Sequence, residues 1–303
     1  MIITVVGPTA TGKSDLGLAL AEEFDGEVIN ADAMQFYRGM DIGTAKLPLN
    51  QRRGIAHHLL DVLDPTEEAS VATYQEHARN QILELHSRGK TAVLVGGSGL
   101  YVRAVIDLLE FPGTDPALRT ELEQRAATEG LAALFAELQQ RDPKSAAVID
   151  PLNERRVVRA LEVVLLTGQS FTATMPQYKY WRPAVQLGLD CDRDELRARM
   201  TRRVTGMWDQ GLVSEVEQLQ VHGFGRTAAR AVGYAETLRH LAGELTAEQC
   251  QEQIATNTHK LARRQRTWFR RDPRVQWLDA LDSGLTQSAI QTVSDYQAAA
   301  DVK

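Results

Sequence analysis

One eight-residue stretch constrains the fold of this chain more than any other: Gly7-Pro8-Thr9-Ala10-Thr11-Gly12-Lys13-Ser14. It fits the phosphate-loop pattern G-x-x-x-x-G-K-[ST]. The apolar run Ile2-Ile3-Thr4-Val5-Val6 before it predicts a buried strand. Asp15 to Phe24 after it puts Leu16, Leu20 and Phe24 on one helical face. Strand, glycine loop and helix together give the pattern its mechanism. Backbone N–H groups and the positive end of the helix converge on an anion. Lys13 adds a mobile point charge, and the Ser14 hydroxyl is a candidate Mg²⁺ ligand. Gly7, Thr9, Ala10, Thr11, Gly12, Lys13 and Ser14 are therefore the expected anion-binding set, for a ligand with two or more phosphates. ATP is the default occupant of a nucleotide-binding loop of this kind. The plainer alternative is a glycine-rich turn that only joins strand to helix.

The first half continues to alternate. Glu27 to Ala31 reads as a second strand, Thr73 to Arg88 as a helix, and Thr91 to Val95 as a third apolar strand ending at Gly96-Gly97. Such alternation predicts a parallel sheet flanked by helices, with ligands outside the carboxyl ends of the strands. Asp32 follows the second strand and is expected at that edge. There it would serve as general base or hold Mg²⁺ through water, or else simply cap a turn. Phosphoryl-transfer enzymes with this loop usually place a metal-holding Asp after another apolar strand. Here Val95-Gly96-Gly97-Ser98 carries none, and Asp190, after a later strand, is followed by polar residues. Small residues at 96–99 let a bulky ligand or a backbone approach the sheet edge.

Between Pro116 and Gly168 the pattern becomes purely helical, in Ala117 to Thr128, Gly130 to Arg141 and Glu154 to Thr167. Phe171 to Pro183 reads as an exposed connection, Ala184 to Leu189 as another buried strand, and everything from Arg193 onward as helix. The expected fold is α/β: a P-loop NTPase-like parallel sheet with an all-helical inserted subdomain. Residues 1–114 and 184–303 form the core domain in this reading, and 115–183 the insertion.

Charge is unevenly placed. The net charge is −6, yet Lys260, Arg263, Arg264, Arg266, Arg270, Arg271 and Arg274 crowd one segment, interleaved with Trp268 and Phe269. Arg197, Arg199, Arg202 and Arg203 form a second cluster. A solvated helix face accounts for many such runs, but this pattern also fits a polyanionic partner. Arg199 and Arg203 share a helical face; Arg203 would stabilise a leaving phosphate, or pair with Glu195 or Asp194. His57-His58 lacks metal-ligand spacing and suits capping or packing. Two cysteines, Cys191 and Cys250, are too few for a disulfide framework and read as ordinary buried thiols. No apolar run is long enough to cross a membrane, and the chain opens on a strand without a basic leader. A reducing cytoplasm is the expected location.

Beyond the loop, several segments resemble bacterial tRNA dimethylallyltransferase, also called tRNA isopentenyltransferase, over nearly the whole chain. They are Asn30 to Lys46 (NADAMQFYRGMDIGTAK), His57 to Asp61, Val95 to Tyr101, Arg155 to Glu162, Ala231 to Tyr234 and Leu261 to Trp268. The resemblance implies transfer of a dimethylallyl group from its diphosphate to N6 of adenine 37 in tRNA. The loop residues Gly7 to Ser14 would then hold the prenyl diphosphate. Asp32 would act as base on the extruded adenine; Ser14, Lys13, Mg²⁺ and Arg203 would stabilise the departing diphosphate. Contacts to tRNA are implied for Asp32, Ala33, Met34, Gln35, Gly97, Leu118, Arg155, Arg156, Arg159, Arg230, Gly233, Tyr234, Arg263 and Arg264. The insertion would grip the anticodon stem-loop, and a monomer is expected. Ala33 stands where the family more often has Ser, and Ser14 where Thr is frequent. Three other readings stay open here: an ATP-using kinase, a prenyl transferase for free adenine nucleotides, and a non-catalytic nucleotide switch that binds RNA.

Overall fold

A computed structural model describes residues 1–174 and 178–301. In chain order, β1 (Ile2–Val6) leads through the glycine loop into α1 (Lys13–Glu23), then β2 (Gly26–Asn30), β3 (His57–His58), α2 (Val71–Ser87), β4 (Thr91–Val95) and α3 (Gly99–Ile106). Four helices follow: α4 (Pro116–Thr128), α5 (Leu131–Arg141), α6 (Pro143–Ala146) and α7 (Glu154–Thr167). Then come β5 (Ala184–Asp190), α8 (Arg193–Asp209), α9 (Leu212–Gln220), α10 (Tyr234–Leu241), α11 (Ala247–Phe269), β6 (Val275–Asp279) and α12 (Leu285–Asp301). The six strands form one parallel sheet in the order β3-β2-β4-β1-β5-β6.

Alternation along each strand builds two cores. Ile2, Val6, Ile29, Ala92 and Leu94 face α2 and α3 on one side, packing on Ile82, Leu85 and Val105. Ile3, Val5, Val28, Val93, Leu187 and Leu189 face the other side, against Leu16 and Leu20 of α1 and Ala289 and Val293 of α12. Covered on both faces, β1 and β5 are buried along their whole length. That is why they read as unbroken apolar runs. With β1, β2 and β4 adjacent and parallel, their carboxyl ends bring Gly7, Ala31 and Gly96 to one edge. The Ala31 N–H bonds the Val95 carbonyl, and the Gly96 N–H bonds the Val5 carbonyl.

The chain divides into two compact units, Met1–Ile106 with Tyr180–Lys303, and Asp107–Lys179. The second unit has its own core of Leu122, Leu134, Leu138, Val157, Val158 and Leu161. Asp115 caps α4 through the N–H groups of Ala117 and Leu118, ahead of Pro116 at its first turn. Glu162, fully buried there, is neutralised by Arg119 and Arg159. Of the connection expected over Phe171 to Pro183, residues 175–177 lie outside the described residues.

Two strands were not expected. β3 is only two residues long, and its His58 pairs with Glu27 of β2 at 2.6 Å. β6 interrupts the helical remainder expected after Arg193 and extends the sheet beside β5. β3 is too short to show a period, and β6, with Gln276 and Asp279 exposed, presents no apolar run; pairing with a buried neighbour decides both. Cys191 also departs from expectation, being half-buried while Cys250 is buried.

Gly7 shows how tightly the loop is set against the sheet. Its φ is 136°, and a Cβ there would stand 2.3 Å from the Leu189 carbonyl oxygen. Since backbone cannot yield as a side chain can, Gly7→Ala is expected to lower stability by roughly 2–4 kcal/mol. Chemical denaturation checks this; a loss under about 0.5 kcal/mol, the range of ordinary surface changes, contradicts it.

Candidate active site

The loop is held by its own backbone and by residues far away in the chain. Ala10 and Gly12 take left-handed φ values of 68° and 85°. The Pro8 carbonyl accepts from the Thr11 hydroxyl at 2.9 Å and from Lys13 Nζ at 2.7 Å. The Thr9 N–H donates to Gln265 Oε1 at 2.8 Å, and Arg203 Nη1 donates to the Thr9 hydroxyl at 3.1 Å. Gln265 also donates to the Gly97 carbonyl at 3.1 Å, so one amide on α11 links the loop to the turn after β4.

Asp32 sits where β2 ends. Its Oδ1 accepts from the Met34 N–H at 3.1 Å, capping a 3₁₀ turn over Ala33–Phe36. The capping alternative is therefore true of one oxygen, while the side chain still lines the cleft beside the loop. Burial pushes the Asp32 carboxyl above its ordinary value; the Met34 N–H, Lys13 and Arg203 pull it down without cancelling the rise. For Lys13 burial also dominates and lowers the ammonium to about 8, with Asp32 opposing and Arg203 adding to the drop. Burial likewise lowers Arg203 from its ordinary value, against Asp15 and Asp32. Two cations and one carboxylate thus face a largely desolvated space.

That space has two parts. A polar cleft of about 280 Å³ is lined by Gly12, Lys13, Ser14, Asp32 and Arg203. A smaller one, about 80 Å³, is lined by Met34, Val204, Met207, Val232, Ile254 and Leu261. Thr9, Asp32, Thr44, Ala45 and Arg203 line both, so an anion site and an apolar site meet at one carboxylate. An open groove of about 620 Å³ between α8 and α11 carries Arg193, Arg197, Lys260, Arg263 and Arg266.

Several expected residues lie elsewhere than anticipated. Tyr234 is wholly buried, and its hydroxyl bonds Glu215, so its ring presents no surface to a large ligand. The Ala33 side chain is buried in the core and its N–H bonds the Ser98 hydroxyl at 3.0 Å. Gly97 is buried too; a Cβ there would stand 2.3 Å from Gln265 Nε2, so its smallness serves the approach of α11. Gly233 is buried, its N–H taken by Glu236 at 2.8 Å. Gln35 donates to the Thr44 carbonyl at 3.1 Å. Arg159 holds the Pro112 and Gly113 carbonyls and Glu162. Leu118 is half-buried against the helical core, whereas Arg155, Arg156, Arg230, Arg263 and Arg264 are exposed.

The basic segment is partly neutralised from a distance. Asp190 accepts from Arg266 at 2.5 Å and from Arg270 at 2.9 Å, and Asp272 from Arg274 at 2.7 Å. Glu195 pairs with Arg199 and Arg202, leaving Arg203 to the loop. Asp190 is thereby spent on arginines and is no metal ligand in this arrangement.

Comparison with known proteins decides the family. A family model described as IPP transferase matches residues 35–272. A tRNA dimethylallyltransferase of Paenarthrobacter aurescens is 56% identical over 295 residues, covering 97% of this chain and 95% of the relative. The chain belongs to the tRNA dimethylallyltransferase family. A second relative of that name, from Nocardia farcinica, is 55% identical, covering 98% of this chain and 96% of its own. Among solved structures, the tRNA isopentenylpyrophosphate transferase of Bacillus halodurans superposes with a TM-score of 0.74 at 39% identity, covering 99% and 98% of the two chains. A eukaryotic dimethylallyltransferase described as acting on tRNA gives 0.87 at 29% identity, covering 98% of this chain and 79% of that one. For the dimethylallyltransferase fold, sequence reasoning had passed over Gln265 and Thr44 as site residues. Both stand inside segments that carry the family likeness, Leu261 to Trp268 and Asn30 to Lys46. No helix among the described residues is long and apolar enough to cross a membrane.

Proposed function

We propose that this transferase moves a dimethylallyl group from dimethylallyl diphosphate to N6 of adenine 37 in the anticodon loop of tRNA. The observation that carries this is the meeting of polar and apolar clefts at Asp32. The diphosphate lies on the loop of Gly7, Thr9, Ala10, Thr11, Gly12, Lys13 and Ser14, and the five-carbon group occupies the apolar cleft. The adenine amine attacks the first carbon of that group, the carbon–oxygen bond breaks, and the diphosphate departs. Asp32 takes the amine proton; Lys13 and Arg203 balance the charge growing on the leaving group. Reaching that amine requires the base to leave its stack. A turn without a carboxylate after β4 suits a reaction in which alkyl, not phosphoryl, is transferred.

Mg²⁺ fits the donor set here: the Ser14 hydroxyl, lining the anion cleft beside the place of the diphosphate oxygens, is a donor that a hard cation prefers. When bound, it would supply further positive charge to the diphosphate oxygens. Arg155 and Arg156 on the helical unit, and Arg230, Arg263 and Arg264 on the core, are the exposed cations proposed to meet tRNA phosphates. A monomer acting in the cytoplasm accords with this reading.

Incubation with unmodified tRNA bearing adenine 37, dimethylallyl diphosphate and Mg²⁺ should add one five-carbon group to the tRNA, read by mass spectrometry. No mass gain, with ATP consumed on a small acceptor, would refute the assignment. Affinity for tRNA should fall steeply with salt. Replacing Arg263 and Arg264 together by alanine should flatten that dependence by roughly two phosphate contacts. An unchanged slope removes them from the interface.

A further inference from the structure

One carboxylate outside the reacting groups is saturated in an unusual way. Glu215 on α9 accepts from three consecutive backbone N–H groups: Asp41 at 3.1 Å, Ile42 at 2.8 Å and Gly43 at 3.2 Å. Its fourth partner is the Tyr234 hydroxyl, at the start of α10. Three loop donors 172 to 174 positions away and a buried phenol 19 positions away thus converge on one side chain. Burial and the neighbouring Glu215 charge push the Tyr234 phenol far above its ordinary value, so it stays a donor.

The loop so held is short and closed at its base. Lys46, almost wholly buried, bonds Asp41 at 2.5 Å, Asp61 at 2.6 Å and the Tyr37 carbonyl at 2.9 Å. The Thr44 hydroxyl bonds the Met40 carbonyl at 2.6 Å. What lies between these anchors is Gly43, Thr44 and Ala45, which form one wall of the apolar cleft. Val204 and Met207 of α8 and Ile254 of α11 line the same cleft and belong to the same core cluster as Tyr234. Where the loop's part of the cleft lining sits is therefore fixed by how Glu215 holds the loop.

We infer that Glu215 is a positioning residue for the alkyl part of the donor: with Tyr234 it fixes the Asp41–Gly43 loop so that the apolar cleft fits a five-carbon group. This rests on the assignment of that cleft to the dimethylallyl group. Charge-assisted acceptance of several N–H groups by one carboxylate is strong, and losing it leaves those donors without partners. The consequence falls chiefly on the alkyl group: Gly43 lines the apolar cleft alone, and although Thr44 and Ala45 also border the anion cleft, the phosphates' main contacts come from Gly7 to Ser14.

Titration calorimetry on the purified full chain, with Mg²⁺ present, separates the two. Glu215→Ala should weaken dimethylallyl diphosphate about tenfold while inorganic diphosphate changes by less than about twofold. The KM for dimethylallyl diphosphate should rise in step, with kcat much less affected. Glu215→Gln, which keeps the size but turns an amide toward N–H donors, should show the same selectivity. It carries the test if the alanine variant fails to fold. Tyr234→Phe leaves the three loop bonds and should have a smaller effect of the same kind. Equal weakening of both ligands, or of neither, overturns the inference. A wild-type chain that binds dimethylallyl diphosphate but transfers nothing to tRNA instead sinks the proposed reaction, and the paired affinities still report on the clamp.

Discussion

Asp32→Asn should slow dimethylallyl transfer by about 10²–10⁴-fold, the usual worth of a positioned general base. Asparagine keeps the oxygen that caps the Ala33–Phe36 turn and nearly the same volume, so the loss cannot be laid to a missing cap. Asp32→Ala should be as slow, with an added cap cost of only about 1 kcal/mol. Both variants should still bind tRNA, whose phosphates meet other residues. Single-turnover transfer, measured with saturating dimethylallyl diphosphate, is the check; a rate within about tenfold of wild type removes Asp32 as base.

The pH profile follows from the same surroundings. A base works ionised, and burial raises the Asp32 carboxyl above its ordinary 3.8. Transfer should therefore fail on acidification at a pH above that of an ordinary aspartate. In the proposed reaction Lys13 holds the diphosphate as a cation, and burial lowers it to about 8. In the free enzyme, kcat/KM for dimethylallyl diphosphate should fall again as pH rises through that value. The acid limb should disappear in Asp32→Asn and the alkaline limb in Lys13→Met. An acid limb retained in Asp32→Asn assigns it to another group.

Arg203→Ala should lower kcat by about 10²–10³-fold, comparable to losing one preorganised donor at a developing anion. Arg203 is the only arginine bonded to the loop through Thr9 among the described residues, and its neighbours Arg199 and Arg202 are held by Glu195. They cannot substitute without breaking those pairs. Arg203→Lys should recover part of the rate, because charge survives while the guanidinium bond to the Thr9 hydroxyl is lost. If Arg203 only steadied the loop, diphosphate affinity and melting temperature would drop with little effect on the chemical step. That outcome would return it to a structural role.

Much of this site was legible before any coordinates. The phosphate loop, the strand ahead of it and Asp32 at the next strand end are local features. Their meaning depends on backbone conformation and on which way a strand faces. The helices between Ala117 and Thr167 were legible for the same reason, through their apolar spacing. Errors gathered where the outcome depended on a distant partner. Tyr234, to which the family resemblance implied a tRNA contact, is buried and bonds the Glu215 that holds the Asp41–Gly43 loop. The basic run from Lys260 to Arg274 looked almost unopposed, because Asp190 is 76 residues before Arg266. β3 was too short to carry a period, and β6, with two of its five residues exposed, carried no apolar run.

By itself, then, the sequence determined that a glycine loop joins β1 to α1 at Gly7 to Ser14 and that a carboxylate, Asp32, follows the next strand, since both follow from short-range geometry. Only the tertiary structure decided which side chains complete the site. Gln265 reaches Thr9 across 256 residues and Arg203 reaches it across 194. Nothing local to either segment encodes those bonds; they exist because the parallel sheet brings its strand ends, and the helices that follow them, to one edge.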